Sequence, residues 1–263
     1  MNEVLARWSR GLRRSSTLLG TAVIVFLYAP LALLVAYSFS AHRTLTFPIQ
    51  GFTLDWYAAL ANNEELLRAV ANSFKVAAGV VPLTLLLGIP AAYALSRFAF
   101  WGSALVNHVL ALPLMIPGII TGLSILLLLK SFGLGLSLWA VVVGHSVAWL
   151  PIVVEQVAAG LRRLDRRIEE ASLDLGAGYA ETFLRVVLPN LKGAIIGSAL
   201  LVFTLSFDEV AITFLLTATE NTLPMQIWAM LRQGVTPEIC AIATLTVAFS
   251  GALIGLGVRL ARI

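Results

Sequence analysis

Charge is what this 263-residue sequence has least of. Only 12% of its residues are charged, 59% are hydrophobic, and the mean hydropathy is +0.91. A water-soluble domain carries about 25% charged residues, so there is too little polar surface here to cover a soluble globule. Cysteine is almost absent. Cys240 stands alone, which excludes an internal disulfide, and it reads as a small buried apolar residue. Several chemical motifs are missing as well. No G-x4-G-K-[ST] loop is present to cradle ATP phosphates, and neither H-E-x-x-H nor G-x-S-x-G occurs. His42, His108 and His145 lie far apart in sequence. His108 and His145 could meet across helices, but histidines inside membranes often only hydrogen-bond their neighbours, so no metal or catalytic role is assigned. The net charge of +4 and pI of 9.6 would suggest nucleic acid in a soluble protein. Here the arginines gather at the ends of hydrophobic runs, which points to orientation in a membrane and to no nucleic-acid partner.

The charges that remain divide the chain into spans. A helix needs about 20 apolar residues to cross a ~30 Å hydrocarbon core. Six runs meet that requirement, near 17–39, 73–96, 105–129, 136–158, 191–217 and 239–259. Their hydrophobicity does not alternate as barrel strands would, so backbone satisfaction in lipid demands helices. The first run follows Arg7, Arg10, Arg13 and Arg14 and is longer than the ~7–15 apolar residues of a signal peptide, so it reads as an uncleaved span. With the N-terminus inside, 13 lysines and arginines fall on the cytoplasmic side and 5 on the other. The asymmetry puts both termini in the cytoplasm. It gives a cytoplasmic N-terminus at 1–16, a transmembrane region at 17–263 and a cytoplasmic loop at 159–190. Residues 52–72, with Trp56, Tyr57 and Leu60 at helical spacing, read as an amphipathic surface helix. Leu223 to Leu231 is apolar but too short to span. Pro82, Gly88, Pro90, Pro113, Pro117, Gly118 and Pro151 lie within spans. They are consistent with close helix packing or with kinked helices lining a path.

The 159–190 loop contains "EEASLDLGAGYAETFLRVVLPN", residues 169–190. Ile168, Ala171 and Leu175 recur at helical spacing, and Gly176 and Gly178 break the helix. A second short helix, Tyr179 to Val187, is expected to stop at Leu188-Pro189. Such a pair could rest on lipid headgroups or receive another protein close to Ala171 and Ser172.

Glu170-Ala171-Ser172, three residues, Gly176, nine residues, then Val186-x-Leu188-Pro189 resembles the EAA loop, E-A-A-x3-G-x9-I-x-L-P, of ABC importer permeases. Ser172 and Val186 depart from it slightly. The resemblance implies an all-helical, six-span type I permease fold. It also implies a coupling role for Glu170, Ala171, Ser172, Gly176, Leu188 and Pro189 against an ATP-hydrolysing subunit. The implied partners are a second permease, two ATP-binding subunits and an extracytoplasmic substrate-binding protein, in a bacterial inner membrane. ATP and Mg would bind the partner ATPases, with no cofactor in this chain. Phe52-Thr-Leu-Asp-Trp-Tyr, Asn72-Ser73-Phe74, Ser206-Phe207-Asp208-Glu209, Thr222-Leu223-Pro224 and Thr236-Pro237-Glu238 resemble the polyamine-type subgroup.

Asp208 and Glu209 interrupt the fifth run. A carboxylate in a membrane costs a few kcal/mol, about 3 on insertion scales, so it faces protein or a water-filled path. The two could cap or pair structurally, near Thr204, Ser206 or Thr213. They could instead line a substrate path with Trp228, attracting an elongated cation. The sequence thus predicts a transport subunit rather than an enzyme, with polyamines as the leading substrate class. Opines, amino acid derivatives, phosphonates or metal complexes are alternative solutes, and a receptor or intramembrane enzyme is the alternative class.

Overall fold

The computed structural model describes residues 2–261, with side chains at 16–253, 255–257 and 259. Among these residues regular structure is helical, apart from one isolated bridge between Ser40 and Phe52. By internal contacts the chain divides into two units: residues 1–62 with 230–247, and residues 63–229 with 248–263.

The first unit begins with α1 (Asn2–Tyr37). Its span, Ser16–Tyr37, is the most apolar of the four unbroken spans, and none of its most apolar window is buried. A helix apolar all round and unpacked is solvated by lipid or by a partner helix. The chain then folds back on itself. Trp56 Nε1 donates to the Ser40 carbonyl at 2.7 Å, and the Tyr57 and Ser38 hydroxyls bond at 2.7 Å. These contacts seat α2 (Asp55–Ala61).

In the second unit, α3 (Glu64–Arg97) starts where Asn63 Oδ1 accepts Leu66 N–H at 3.1 Å. Glu64 and Glu65 in its first turn suit the positive helix end. The surface helix expected over 52–72 is therefore only α2, and 64–72 belong to the second span. The helix runs on through Pro82 and Pro90.

The third span departs from expectation. It is a pair, α4 (Ser103–Met115) and α5 (Gly118–Ser131), bent by 110°. Pro117 is the cause. The residue before a proline is driven out of the α region, and Ile116 is extended at φ −89, ψ 131. The fourth span, α6 (Leu138–Arg163), begins at a Ser137 cap and outlasts its expected end by five residues.

Helix α7 (Arg166–Asp174) follows, then α8 (Tyr179–Thr182), one π-helical turn (Phe183–Val187) and α9 (Leu188–Asn190). The expected stop at Leu188-Pro189 does not occur. Pro189 cannot donate to Arg185 and crowds its carbonyl, and a π turn widens the spiral there, letting the helix pass. A 71° bend at Leu191 then opens α10 (Lys192–Phe207). The fifth span is also broken, with α11 (Ala211–Leu216) resuming after Asp208-Glu209-Val210. Two helices complete the chain, α12 (Leu223–Leu231) and α13 (Pro237–Ala261). Four helices can each cross a membrane, and six crossings result if each bent pair counts as one.

Helix α6 is the hub. It packs against α3, α4, α5, α10 and α11, and Val141, Val153, Val157 and Leu161 on it are fully buried. Two glycines set how closely its neighbours approach. A Cβ at Gly88 would lie 2.7 Å from Val153 Cγ1, and one at Gly144 would strike Leu216 Cδ1 and Ile212 Cγ2. Lipid tails offer no hydrophobic driving force between helices, so this van der Waals contact between small and branched residues does the holding.

Candidate functional site

The polar segment folds into a knob attached to one end of the bundle, where α3 and α6 finish. Asp165 Oδ1 accepts Arg167 N–H at 3.0 Å and starts α7. Glu169 turns inward and is buried. Its carboxylate meets Arg97 Nη2 at 2.6 Å and Nε at 2.8 Å, and accepts from the Tyr93 hydroxyl at 3.2 Å. Arg97 also donates to the Leu161 carbonyl at 3.1 Å. One charge-assisted network therefore ties the ends of α3 and α6 to α7. The Ser172 hydroxyl meets that of buried Thr182 at 3.0 Å, locking the two loop helices together. The turn between them needs Gly176, whose φ is +91. No atom lies within 4 Å of the Cβ position there, so backbone conformation rather than space demands glycine.

The opposite side of the knob is open. Glu170, Ala171 and Gly176 are exposed, as are Ile168, Leu175, Tyr179 and Leu184, with Leu175 at 89%. The apolar residues noted at helical spacing thus face away from the chain. Of the remaining residues singled out in the loop, Ser172 and Leu188 are half-buried and Pro189 is exposed within α9. Sequence reasoning chose Glu170 and missed Glu169. Adjacent carboxylates look alike in a string, and only the arrival of Arg97, 72 residues earlier, separates them.

The fifth-span break has two unlike carboxylates. Glu209 caps α11, accepting Ile212 N–H at 2.9 Å and Thr213 N–H at 3.1 Å. It also lies 3.3 Å from Nε2 of His145. That histidine is fully buried and bridges the Ser206 and Thr213 hydroxyls, both at 2.9 Å. His145 was not foreseen here, and it does not meet His108, which is exposed and bonds the Ala104 carbonyl at 2.6 Å. Among the described residues no cluster of three potential metal ligands occurs. Asp208 is exposed, and its side chain has no hydrogen bond or ion pair among the described residues. The adjacent Phe207 packs among Phe74, Phe203 and Phe249, with centroids 5.3–5.8 Å away. Trp228 stands edge-on to Phe214 at 5.7 Å.

At the start of α3, Asn72 Nδ2 donates to the Asn221 carbonyl at 3.1 Å, and Ser73 Oγ accepts Leu223 N–H at 2.9 Å. These bonds fasten the loop before α12. Beside it a polar cavity of about 510 Å³ is lined by Glu65, Arg68, Asn72, Lys75 and Glu220.

The family described as "Binding-protein-dependent transport system inner membrane component" matches residues 84–263, more than half of the chain. The chain belongs to this family. As a binding-protein-dependent transport permease, it is a multi-pass inner-membrane subunit of an ABC importer. Among its relatives is the spermidine/putrescine transport system permease protein PotC of Escherichia coli (strain K12). The two are 35% identical, over 88% of this chain and 87% of PotC. The putrescine transport system permease protein PotI of the same organism is 38% identical, over 84% of this permease and 81% of PotI. A chain from the crystal structure of a bacterial ABC transporter that imports the acidic polysaccharide alginate superposes with a TM-score of 0.75. That match covers 95% of this permease and 96% of the other chain at 16% identity, so it speaks for the type I permease fold alone.

Proposed function

We propose that this permease passes polyamines from an extracytoplasmic binding protein into the cytoplasm. It does so together with a second permease and two ATP-binding subunits that hold ATP and Mg. The observation that carries the substrate class is Asp208. It is an exposed carboxylate, unpartnered among the described residues, at a helix break in a membrane span and beside a cluster of four phenylalanines. An unpaired carboxylate within a membrane belongs on a water-filled path. Aromatic faces beside it suit alkylammonium groups. The relatives named for spermidine and putrescine favour the same class. Trp228 serves the same route. Glu209 borders it while its carboxylate holds α11 and His145.

Coupling falls to the exposed face of the knob. Glu170, Ala171 and Gly176 meet the ATPase subunit, while Ser172, Leu188 and Pro189 shape the knob behind them. Both termini lie in the cytoplasm, on the side richer in lysine and arginine. ATP binding closes the ATPases, draws the knobs together and shifts the path outward, a two-state equilibrium biased by differential binding.

The test is uptake by the complete transporter in proteoliposomes. Labelled putrescine or spermidine should accumulate only with ATP inside and the binding protein outside. ATP-driven uptake of a different solute, with neither amine transported, would refute the substrate assignment.

A further inference from the structure

A second carboxylate stands unpaired among the described residues in a membrane span. Glu155 is exposed on α6, which is long and apolar enough to cross. It lines a cavity of about 440 Å³ with Asn107 on α4 and Gln156 and Arg162 on α6. None of these four polar side chains makes a hydrogen bond or ion pair among the described residues. Ala158 and Ala159 leave the space between them open. Glu155 is eight residues before the basic end of α6 and Asp208 sixteen beyond Lys192. At 1.5 Å per residue they lie about 12 Å and about 24 Å along their helices from the inner ends. An ionised group inside a membrane span is costly unless it meets a partner or a wet path.

We propose that Glu155, with the amide oxygens of Asn107 and Gln156, forms a second amine-binding station nearer the cytoplasm than Asp208. The proposal rests on the polyamine reading above. A concave site with one carboxylate and two amides offers acceptors for an ammonium group, which carries three donors and no acceptor. A flat subunit contact would not need the concavity. Arg162 lies two helical turns nearer the inner end of α6. Its guanidinium lines the same cavity without pairing with Glu155 among the described residues, which leaves the carboxylate to the amine.

The experiment uses the complete transporter in proteoliposomes, with putrescine-loaded binding protein at saturation. Wild type is measured first. Glu155→Gln should lower initial uptake by about tenfold or more, the cost of one hydrogen bond to a charged group. Glu155→Asp should keep it within about threefold. Copurification of the other subunits and the binding protein's affinity should stay at wild-type levels. Wild-type uptake by Glu155→Gln overturns the proposal and leaves the polyamine reading standing. Loss of the second permease from the Glu155→Gln preparation assigns Glu155 to a subunit contact and also overturns it. A wild-type transporter that moves neither putrescine nor spermidine fails before any variant is made, and takes both readings down together.

Discussion

Gly176 shows how one backbone angle shapes the knob proposed for coupling. Its φ of +91 lies where L-residues are strained by about 1–2 kcal/mol and proline cannot go at all. Gly176→Pro should therefore leave the protein inserted in the membrane but abolish substrate-stimulated ATP hydrolysis; a normal stimulation ratio would remove the knob from the coupling pathway. Glu169 and Arg97 make a second point. Their side chains are only 8% and 13% exposed, and breaking such a pair strands a charge at a cost of about 3 kcal/mol or more. Glu169→Ala should loosen α7, read as faster limited proteolysis within 165–190, whereas exposed Glu170→Ala should not. At the fifth-span break the two neighbouring carboxylates should separate by assay. Glu209→Ala removes a helix cap worth about 1–2 kcal/mol and should lower the thermal midpoint of the purified complex. Asp208→Asn should leave that midpoint in place and reduce uptake. The reverse pattern would exchange their roles.

Helices form here because lipid leaves no alternative, and they break where a local residue forbids them. The six apolar runs and the helix–glycine–helix design of the loop were legible in the sequence, because run length and Gly176 act locally. The breaks were only partly legible. Pro117 ends α4, while Pro82, Pro90, Pro113 and Pro151 sit inside intact helices. Which proline wins depends on neighbours that a string does not reveal. The hydrogen bonding of His145 was legible but its partners were not, for the same reason: Ser206, Glu209 and Thr213 arrive from more than 60 residues away. Packing between elements gives its own prediction. Gly144→Val on α6 would drive a side chain into Leu216 and Ile212 on α11. Overpacking of this kind costs about 1–3 kcal/mol, so the variant should accumulate poorly in membranes, and Gly178→Val, with open space around it, should not.

For the whole molecule, lipid solvates the spans. The proposed orientation rests on the distribution of lysine and arginine, and the proposed coupling rests on that orientation, since the ATPases work on one side only. Cys240 is the sole cysteine and is buried, so a single engineered thiol reports cleanly. Ala171→Cys, in the assembled transporter in intact cells, should resist a membrane-impermeant thiol reagent added outside and should cross-link to the ATP-binding subunit once the cytoplasmic face is opened. Labelling of that thiol from the outside, with no cross-link to the ATPase, would contradict the account.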